Sequence, residues 1–555
     1  MKKNYVFIFL ILPVMLVVTA MALKYARGPY YVCADTEQDY VYLVSSLAMA
    51  ESKQVFYTDH PGTTLQILGS AVLKIAHALD LSAKDSLSFA VLRNPEFYLT
   101  VINGVLISLN AILLFMIGRV TFNLTRSVGL GLLLQFSPFF SGIPLRWGLP
   151  QVSCEPLLMS VSLLLVLILI KMVFSENLSK SAHRYMLALA FVSGFGIATK
   201  VTFLPLLIIP FLALPDLRNR IWFLLLTGLS AIIWTWPITS QYERIFQRLG
   251  LILTHTGNYG HGSSGIIDFP SLQNVFLNIL SGFMDDPLLP LIFFFAVCVL
   301  LIYLGFSKAR KTAWQDTSFR ILVALIAAQL FTLLIVVKQN CERYALPVLC
   351  LSGFLLFLIF IGLQRRNYFS RFDNKKITAV IVVFLILCGA WRLVDMKNLF
   401  NDYIQVKQES SAMSRKVENG YKDYLKIVYY MTPSSVAALS HGNYYTSHKY
   451  LSISEMETRI FSKGIYSETL QKIYGETYFY NPWNGEFYTW TKGFLIEDMI
   501  SQRYGNKIVF YGPPIFRRNN DVMPCMTGSV LQLQDVGGGV FDTIYVLQGI
   551  RLPGK

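Results

Sequence analysis

Charge is scarce in this sequence. Only 15% of the 555 residues are Asp, Glu, Lys or Arg, whereas 54% are hydrophobic and 14% are aromatic. A soluble protein of this length needs more charge to cover its surface, so the composition excludes a soluble globular class. It predicts a polytopic α-helical membrane protein.

Several familiar motifs are also missing. The seven cysteines form no CxxC pair and no zinc-ligand spacing, and most lie in or beside apolar runs, where a small buried residue is the expected role. No P-loop, dinucleotide fingerprint or Ser-His-Asp arrangement occurs at a credible position, and the chain has no internal repeat. The sequence therefore gives no sign of a soluble nucleotide-binding site.

The net charge of +15 does not indicate a nucleic-acid partner. The basic residues fall in short clusters between apolar runs rather than on one continuous polar face. This distribution is typical of the cytoplasmic loops of membrane proteins.

Apolar runs long enough to cross a bilayer of about 30 Å predict about eleven spans. The short pair on either side of Lys200 could be a bent or re-entrant element. The runs lie at 5–24, 97–118, 127–145, 154–174, 185–199, 201–215, 221–237, 287–306, 320–338, 345–364 and 377–394.

Lys and Arg clusters occupy every second connection, which predicts that those connections and the N-terminus are cytoplasmic. The opposite side then receives a first outer loop at 25–96, a long outer loop at 238–286 and everything after 395. After that point charged residues become frequent and β-like segments appear at 435–439, 507–511, 530–533 and 543–550, beside a helical stretch at 410–430. We therefore expect a transmembrane domain at 1–395 and a soluble outer α/β domain at 396–555.

The first outer loop carries three acids, Asp35, Glu37 and Asp39, directly after the first span. Carboxylates close to a membrane core are costly and indicate a functional site, although acids also favour an ordinary helix start. Two stretches with helical apolar spacing, 41–49 and 64–79, are expected to lie in the interface, separated by a turn at His60-Pro61-Gly62. His60 could position a substrate or only stabilise that turn.

Other candidate residues are predicted on the same side. Glu155 opens an apolar run, Lys200 lies in a turn, and Arg343-Tyr344 lies in another. Lys200 and Arg343 could bind a phosphate. Glu155 could equally cap a helix and Arg343 anchor the interface.

The glycine-rich loop after residue 254 contains His255, Tyr259 and His261. Such a loop can bring backbone N–H groups close to a phosphate or a sugar, and its two histidines could bind a metal, but many such loops are only flexible. A second stretch, Tyr478 to Trp490, is dense in aromatic residues and suits either carbohydrate stacking or packing of a small core.

The sequence resembles the C-type glycosyltransferases, polytopic enzymes that include protein O-mannosyltransferases and the aminoarabinose transferase of lipid A. It is most similar to their bacterial mannosyltransferase-like relatives. The resemblance covers roughly residues 1 to 395. It rests on the first-loop acids with Tyr40 and Tyr42, and on His60-Pro61, Ser153-Cys154-Glu155-Pro156, the stretch Gly194 to Lys200, and Glu342-Arg343-Tyr344 with Leu346-Pro347.

The resemblance implies an enzyme of the bacterial inner membrane that transfers a sugar, with inversion, from a polyprenyl phosphate donor to an envelope glycan, lipid or protein. A first-loop carboxylate would be the catalytic base. The family has an adjacent Asp-Glu pair, whereas here the acids alternate with Thr36 and Gln38. Asp39 is the preferred base, followed by Asp35 and Glu37.

The expected substrate-binding residues are His60, Glu155, Lys200, Arg343, Tyr344, His255, Tyr259 and His261. No spacing requires a cofactor, but Asp39 and Glu155 would be the ligands of a divalent cation such as Mg²⁺ or Mn²⁺. Two alternatives are a transporter or flippase of lipid-linked sugars and a non-catalytic envelope protein that binds glycan. Charges buried in mid-span and inverted repeats would indicate a transporter.

Overall fold

The computed structural model of the protein describes residues 4–32, 36–58, 60–80, 85–257, 260, 262–265, 292–293, 295–299, 301, 314–339, 341–365, 374–429, 432–446, 463–482, 484–514, 522–539 and 541–551. The side chains of residues 4, 5, 36, 37, 374, 502 and 503 are outside this description. About half of the predicted outer loop at 238–286, including all of 266–286, and most of the predicted span at 287–306 also lie outside it.

Apolar helices dominate the first part of the chain. In the described residues, seven helices are long and apolar enough to cross a membrane, namely Val6–Arg27, Pro95–Thr125, Cys154–Val173, Leu217–Thr254, Thr317–Gln339, Glu342–Arg365 and Lys375–Gly420. This architecture, followed by a β-rich C-terminal part, confirms the predicted fold class.

Sixteen α-helices lie in the described residues of the membrane part. They are α1 Asn4–Arg27, α2 Thr36–Ala50, α3 Thr63–Leu79, α4 Leu87–Arg93, α5 Pro95–Thr125, α6 Val128–Gln135, α7 Gly142–Gly148, α8 Cys154–Val173, α9 Leu178–Thr199, α10 Ile208–Ala213, α11 Leu217–Thr235, α12 Tyr242–Thr254, α13 Thr317–Gln339, α14 Leu346–Leu349, α15 Ser352–Arg365 and α16 Asn374–Gly420.

Three predicted spans differ from the observed helices. The run at 127–145 is broken into α6 and α7 by a 3-10 turn that contains Pro138, because proline lacks the N–H that an α-helix needs in its interior. The run at 201–215 starts as a 3-10 helix around Pro205 and continues as α10. The run at 185–199 belongs to the longer α9, whose first turns are polar, with Lys180 and Arg184.

Both helices predicted in the first outer loop are present as α2 and α3. The left-handed backbone of Gly62, with φ of 74°, directly precedes α3. The hydroxyl of Tyr42 in α2 would lie 2.5 Å from a Cβ at Gly62, so a larger residue does not fit between the two helices. The turn that joins α2 and α3 therefore depends on this glycine.

Basic groups mark one end of the helix bundle. Arg365 at the end of α15 forms an ion pair with Asp316 at 3.0 Å and donates to the carbonyl of Val173 at 3.1 Å. Arg320 in α13 donates to the carbonyl of Ala213 at 3.1 Å. The positive-inside rule predicts that this end is cytoplasmic.

One helix runs through the predicted domain boundary. The 47-residue α16 continues past residue 395 to Gly420, and the C-terminal sheet begins only at Leu425. The division at 395 stays a prediction, since the chain is a continuous helix there.

In its described residues, the C-terminal part forms an eight-stranded mixed sheet with strand order β4-β3-β2-β1-β5-β8-β7-β6. Strand β1 pairs in parallel with β2 and β5, and the other pairs are antiparallel. The strands are β1 Leu425–Tyr429, β2 Tyr478–Asn481, β3 Glu486–Tyr488, β4 Gly493–Phe494, β5 Ile508–Gly512, β6 Val522–Pro524, β7 Val530–Asp535 and β8 Thr543–Arg551, with helices α17 Ser435–Tyr444, α18 Ser467–Tyr474 and α19 Ile496–Met499.

Three of the four predicted β-segments are strands, namely β5, β7 and β8. The segment at 435–439 is instead the start of α17, because the Ser434 hydroxyl accepts a hydrogen bond from the N–H of Ala437 and caps a helix. The helix predicted at 410–430 is also only partly correct, since it ends at Gly420 and its last residues form β1.

The C-terminal part packs directly on the first outer loop. A Cβ at Gly442 in α17 would lie 2.9 Å from the backbone oxygen of Tyr40 and 3.0 Å from the side chain of Val44, both in α2. Tyr466 also donates to Glu51 at 2.9 Å. These contacts fix the sheet close to the end of the bundle opposite the basic groups.

Candidate active site at the end of the helix bundle opposite the basic groups

Backbone pairing brings the first outer loop to the end of α9. The N–H of Gly62 donates to the carbonyl of Thr199 at 3.2 Å, and the N–H of Val201 donates to the carbonyl of His60 at 3.1 Å. These bonds hold the His60-Pro61-Gly62 turn antiparallel to the segment around Lys200. Residues separated by 140 positions in the sequence thus share one site.

A buried ion pair lies at this junction. Lys200 Nζ is 2.5 Å from Glu155 Oε1, and the two side chains are only 2% and 0% exposed. Glu155 lies in the first turn of α8 and Lys200 directly follows α9, so the pair joins two helix ends. The second carboxylate oxygen, Glu155 Oε2, is buried and has no hydrogen-bond partner in the described part of the chain.

Further cations of this site affect the pKa of His60. Burial lowers the pKa of His60 well below its ordinary value, and the positive charges of Lys200, Arg343 and Arg248 lower it further, whereas Glu155 raises it. His60 is therefore neutral near pH 7. The positive charges of Lys200, Arg343 and Arg248 thus all act on one buried imidazole.

Aromatic side chains border the ion pair. Lys200 Nζ lies 5.0 Å from the centre of the Tyr344 ring. The guanidinium of Arg343 lies 5.5 Å from the centre of the Trp147 ring, and the Trp147 N–H donates to Glu342 at 3.3 Å. Tyr344 is therefore buried beside the ion pair, and the half-buried Arg343 precedes it in the same turn.

Asp39 occupies a separate position beside this cluster. It is fully buried, and its Oδ2 forms an ion pair with Arg27 at 2.7 Å, while its Oδ1 accepts a hydrogen bond from the N–H of Val152. Burial raises the pKa of Asp39, and the charge of Arg27 and the Val152 N–H oppose this effect. Arg27 also donates to the carbonyl of Pro150 at 2.6 Å.

The remaining predicted residues are less informative. His255 follows α12, and its Nδ1 lies 2.9 Å from the Thr254 hydroxyl. Asp35, Tyr259, His261 and the side chain of Glu37 lie outside the described residues.

The described residues contain no group of three or more His, Cys, Asp or Glu side chains that could hold a metal ion. Asp39 and Glu155, the predicted ligands, are instead paired with Arg27 and Lys200. Because each carboxylate already has a cationic partner, these described contacts do not fit a divalent cation, and no step below depends on one.

Sequence analysis missed several residues of the site. Arg27 is a basic residue at the predicted outer end of the first span, contrary to the positive-inside rule, and this anomaly was the available signal. Arg248 lies in the strongly amphipathic α12 and carries no motif. The Tyr42 hydroxyl and Cys154 Sγ are 2.8 Å apart, a contact between distant segments that no local pattern indicates.

Comparisons with known proteins add one structural likeness. No family model and no curated protein matches the sequence. The chain is similar to the crystal structure of ArnT from Cupriavidus metallidurans bound to undecaprenyl phosphate, with a TM-score of 0.45, 10% sequence identity, and coverage of 96% of this chain and 97% of that chain.

Proposed function

We propose that the protein is a membrane glycosyltransferase that transfers one sugar from a polyprenyl-phosphate donor to a cell-envelope acceptor. The observation that carries this proposal is the buried Glu155–Lys200 pair, with His60, Arg343 and Arg248 around it. Carboxylates and cations at one end of a bundle of apolar helices suit a substrate with an apolar tail and a phosphate head.

The cations have a role on the donor side. As the bond between the anomeric carbon and the phosphate oxygen breaks, negative charge develops on the departing polyprenyl phosphate. Lys200 acts as a point charge for it, and the guanidinium groups of Arg343 and Arg248 offer two parallel N–H bonds. Charges held in a site with little water stabilise such a leaving group more strongly than they would in solution.

A carboxylate has the complementary role. It accepts the proton of the acceptor hydroxyl while that oxygen attacks the anomeric carbon. Asp39 remains our first assignment for this catalytic base. The assignment requires that Arg27 and the Val152 N–H release one of the Asp39 oxygens when the acceptor binds. Asp35 and Glu37 are the other first-loop candidates.

Glu155 has a different role in this proposal. Its Oε1 orients Lys200, and its Oε2, which has no hydrogen-bond partner in the described residues, is available to a hydroxyl of the donor sugar. Neutral His60 can likewise accept or donate a hydrogen bond to the sugar. Both residues would therefore position the donor rather than remove the proton.

The test is a transfer assay with the purified protein in lipid, a panel of radiolabelled polyprenyl phosphate sugars and an envelope extract. The wild type is compared with Asp39→Asn, Asp35→Asn, Glu37→Gln and Glu155→Gln. Loss of about 10²–10⁴-fold in rate for one first-loop variant, with folding intact, would identify the base. If no sugar is transferred and the donor moves to the opposite leaflet, the protein is a flippase and the proposal is wrong.

A further inference from the structure

A tryptophan lies between two parts of the candidate site. Trp147 is near the end of α7, and shortly after that helix the N–H of Val152 donates to Asp39. The ring of Trp147 contacts the turn Glu342–Ala345, which carries Arg343. Trp147 therefore joins the segment that contacts the proposed base to the turn that carries a proposed phosphate-binding residue.

The ring of Trp147 attracts two guanidinium groups. The guanidinium of Arg343 lies 5.5 Å from the ring centre, and that of Arg146 lies 5.2 Å from it. Both distances are within the range of about 6 Å over which a cation is attracted to an aromatic face, and tryptophan is the strongest partner of this kind. Such a contact holds a guanidinium without the hydrogen bonds that a carboxylate would take from it.

Polar contacts of Glu342 strengthen the link between α7 and the turn. The Trp147 N–H donates to Glu342 Oε1 at 3.3 Å, and Arg146 Nη1 lies 3.9 Å from the same oxygen. The ion pair is about half exposed on both sides, so it contributes little by itself. Since Glu342 directly precedes Arg343, the two contacts nevertheless tie the start of the turn to α7.

The backbone that carries Trp147 is firmly held. Its carbonyl accepts a hydrogen bond from the buried side chain of Gln151 at 2.7 Å. A Cβ at Gly148 would lie 3.3 Å from Met159 in α8 and 3.8 Å from Leu346 in α14, so the end of α7 packs closely against both helices. The indole is thus a fixed surface rather than a mobile one.

We propose that Trp147 is a positioning residue that holds Arg343 in the orientation that binds the phosphate of the donor. This role rests on the proposed function, in which Arg343 and Lys200 stabilise the departing polyprenyl phosphate. An arginine side chain has several rotatable bonds, and a fixed ring that restricts them before the ligand arrives lowers the entropy lost on binding. Trp147 itself contacts no reacting atom and acts only through Arg343.

The experiment measures binding of a radiolabelled polyprenyl phosphate to the full-length protein in immobilised nanodiscs, with protein-free nanodiscs as the background. Trp147→Leu removes the aromatic face and should weaken binding by roughly 3- to 30-fold, the equivalent of one cation–π contact. Trp147→Phe keeps a face but not the N–H, and its affinity should fall between those of Trp147→Leu and the wild type. Trp236→Leu makes the same change at an indole that is 68% exposed directly after α11, and it should bind like the wild type.

A double-mutant cycle shows whether Trp147 acts through Arg343. If the ring only orients this guanidinium, its removal has no further effect once the guanidinium is gone, so Trp147→Leu/Arg343→Met should bind no more weakly than Arg343→Met. If Trp147→Leu does not fold, the same cycle is measured with Trp147→Phe, where the expected effect is smaller. Two effects that add, or a Trp147→Leu protein that binds like the wild type, would overturn the role of Trp147.

Failure of the proposed function would give a different result. A wild type that binds polyprenyl phosphate through Trp147 and Arg343 but transfers no sugar would retain the role of Trp147, and only the enzymatic proposal would be lost. A wild type that binds no polyprenyl phosphate would overturn both. Normal binding and normal transfer in Trp147→Leu would overturn the role of Trp147 and leave the proposed function intact.

Discussion

Removal of one partner of the Glu155–Lys200 pair should destabilise the protein far more than removal of both. The pair is 2.5 Å apart and almost completely buried. Lys200→Met leaves a buried carboxylate without its cation, and Glu155→Gln leaves a buried ammonium without its anion. Loss of one partner of such a pair costs about 3–5 kcal/mol in the free energy of unfolding.

The double variant Glu155→Gln/Lys200→Met leaves no uncompensated charge. Since replacement of a whole buried ion pair by neutral side chains is often close to neutral, its cost should be smaller than that of either single variant. The coupling energy of the cycle should then reach about 3 kcal/mol or more.

The free energies can be obtained from SDS titrations of the protein in mixed micelles, followed by tryptophan fluorescence. The exposed pair Lys463 and Glu468, 2.6 Å apart, is the control, and the same cycle there should show no measurable coupling. If the effects of Glu155→Gln and Lys200→Met simply add, the two groups do not interact and our account of the site is refuted.

Three further predictions concern other parts of the structure. Because burial lowers the pKa of His441 to about 3, the unfolded chain binds a proton that the folded chain excludes, so stability is complete above pH 6.5 and falls below it. The loss should be about 1.4 kcal/mol at pH 5.5, and chemical unfolding of His441→Gln should lack this part of the pH dependence. Gly442→Ala should destabilise the contact between α17 and α2 by about 1–3 kcal/mol and expose the C-terminal part to protease, whereas Gly420→Ala, which meets no neighbour within 4 Å, should not. Arg27→Met should cost about 3–5 kcal/mol in the free energy of unfolding because it leaves Asp39 buried without its partner, and addition of Asp39→Asn should restore thermal stability. A double variant that is no more stable than Arg27→Met would show that the Arg27–Asp39 contact is unimportant.

Features with a local physical cause could be predicted from the sequence. Runs of apolar residues identified most of the long helices, and alternating charge between them identified one basic end of the bundle. The turn at His60-Pro61-Gly62 and the two helices around it followed from the positions of proline and glycine. Strands β5, β7 and β8 followed from short β-branched runs.

Features that depend on distant contacts could not be predicted in the same way. The run at 127–145 is apolar throughout, yet Pro138 breaks it because lost backbone hydrogen bonds outweigh its hydropathy. The pairing of Arg27 with Asp39, and of His60 with the segment at Lys200, arises only when helices far apart in sequence meet. The segment at 435–439 is helical because Ser434 caps it, although its composition also suits a strand.

The candidate site likewise combines residues that the sequence predicts with contacts that it does not. Sequence analysis selected His60, Glu155, Lys200, Arg343 and Tyr344 individually, and the structure places them together. Their chemical roles stay predictions. Arg248 had no motif, so only the folded chain reveals that its charge acts on His60.

Release of free polyprenyl phosphate from a polyprenyl-phosphate sugar tests the central claim most directly. The informative comparison is between the wild type and the double variant Glu155→Gln/Lys200→Met, which preserves charge balance but lacks the proposed phosphate-binding cation. The account predicts that the wild type releases polyprenyl phosphate when acceptor is present, and that the double variant is folded but inactive. An equally active double variant would contradict the proposed role of Lys200 and, with it, the placement of the active site.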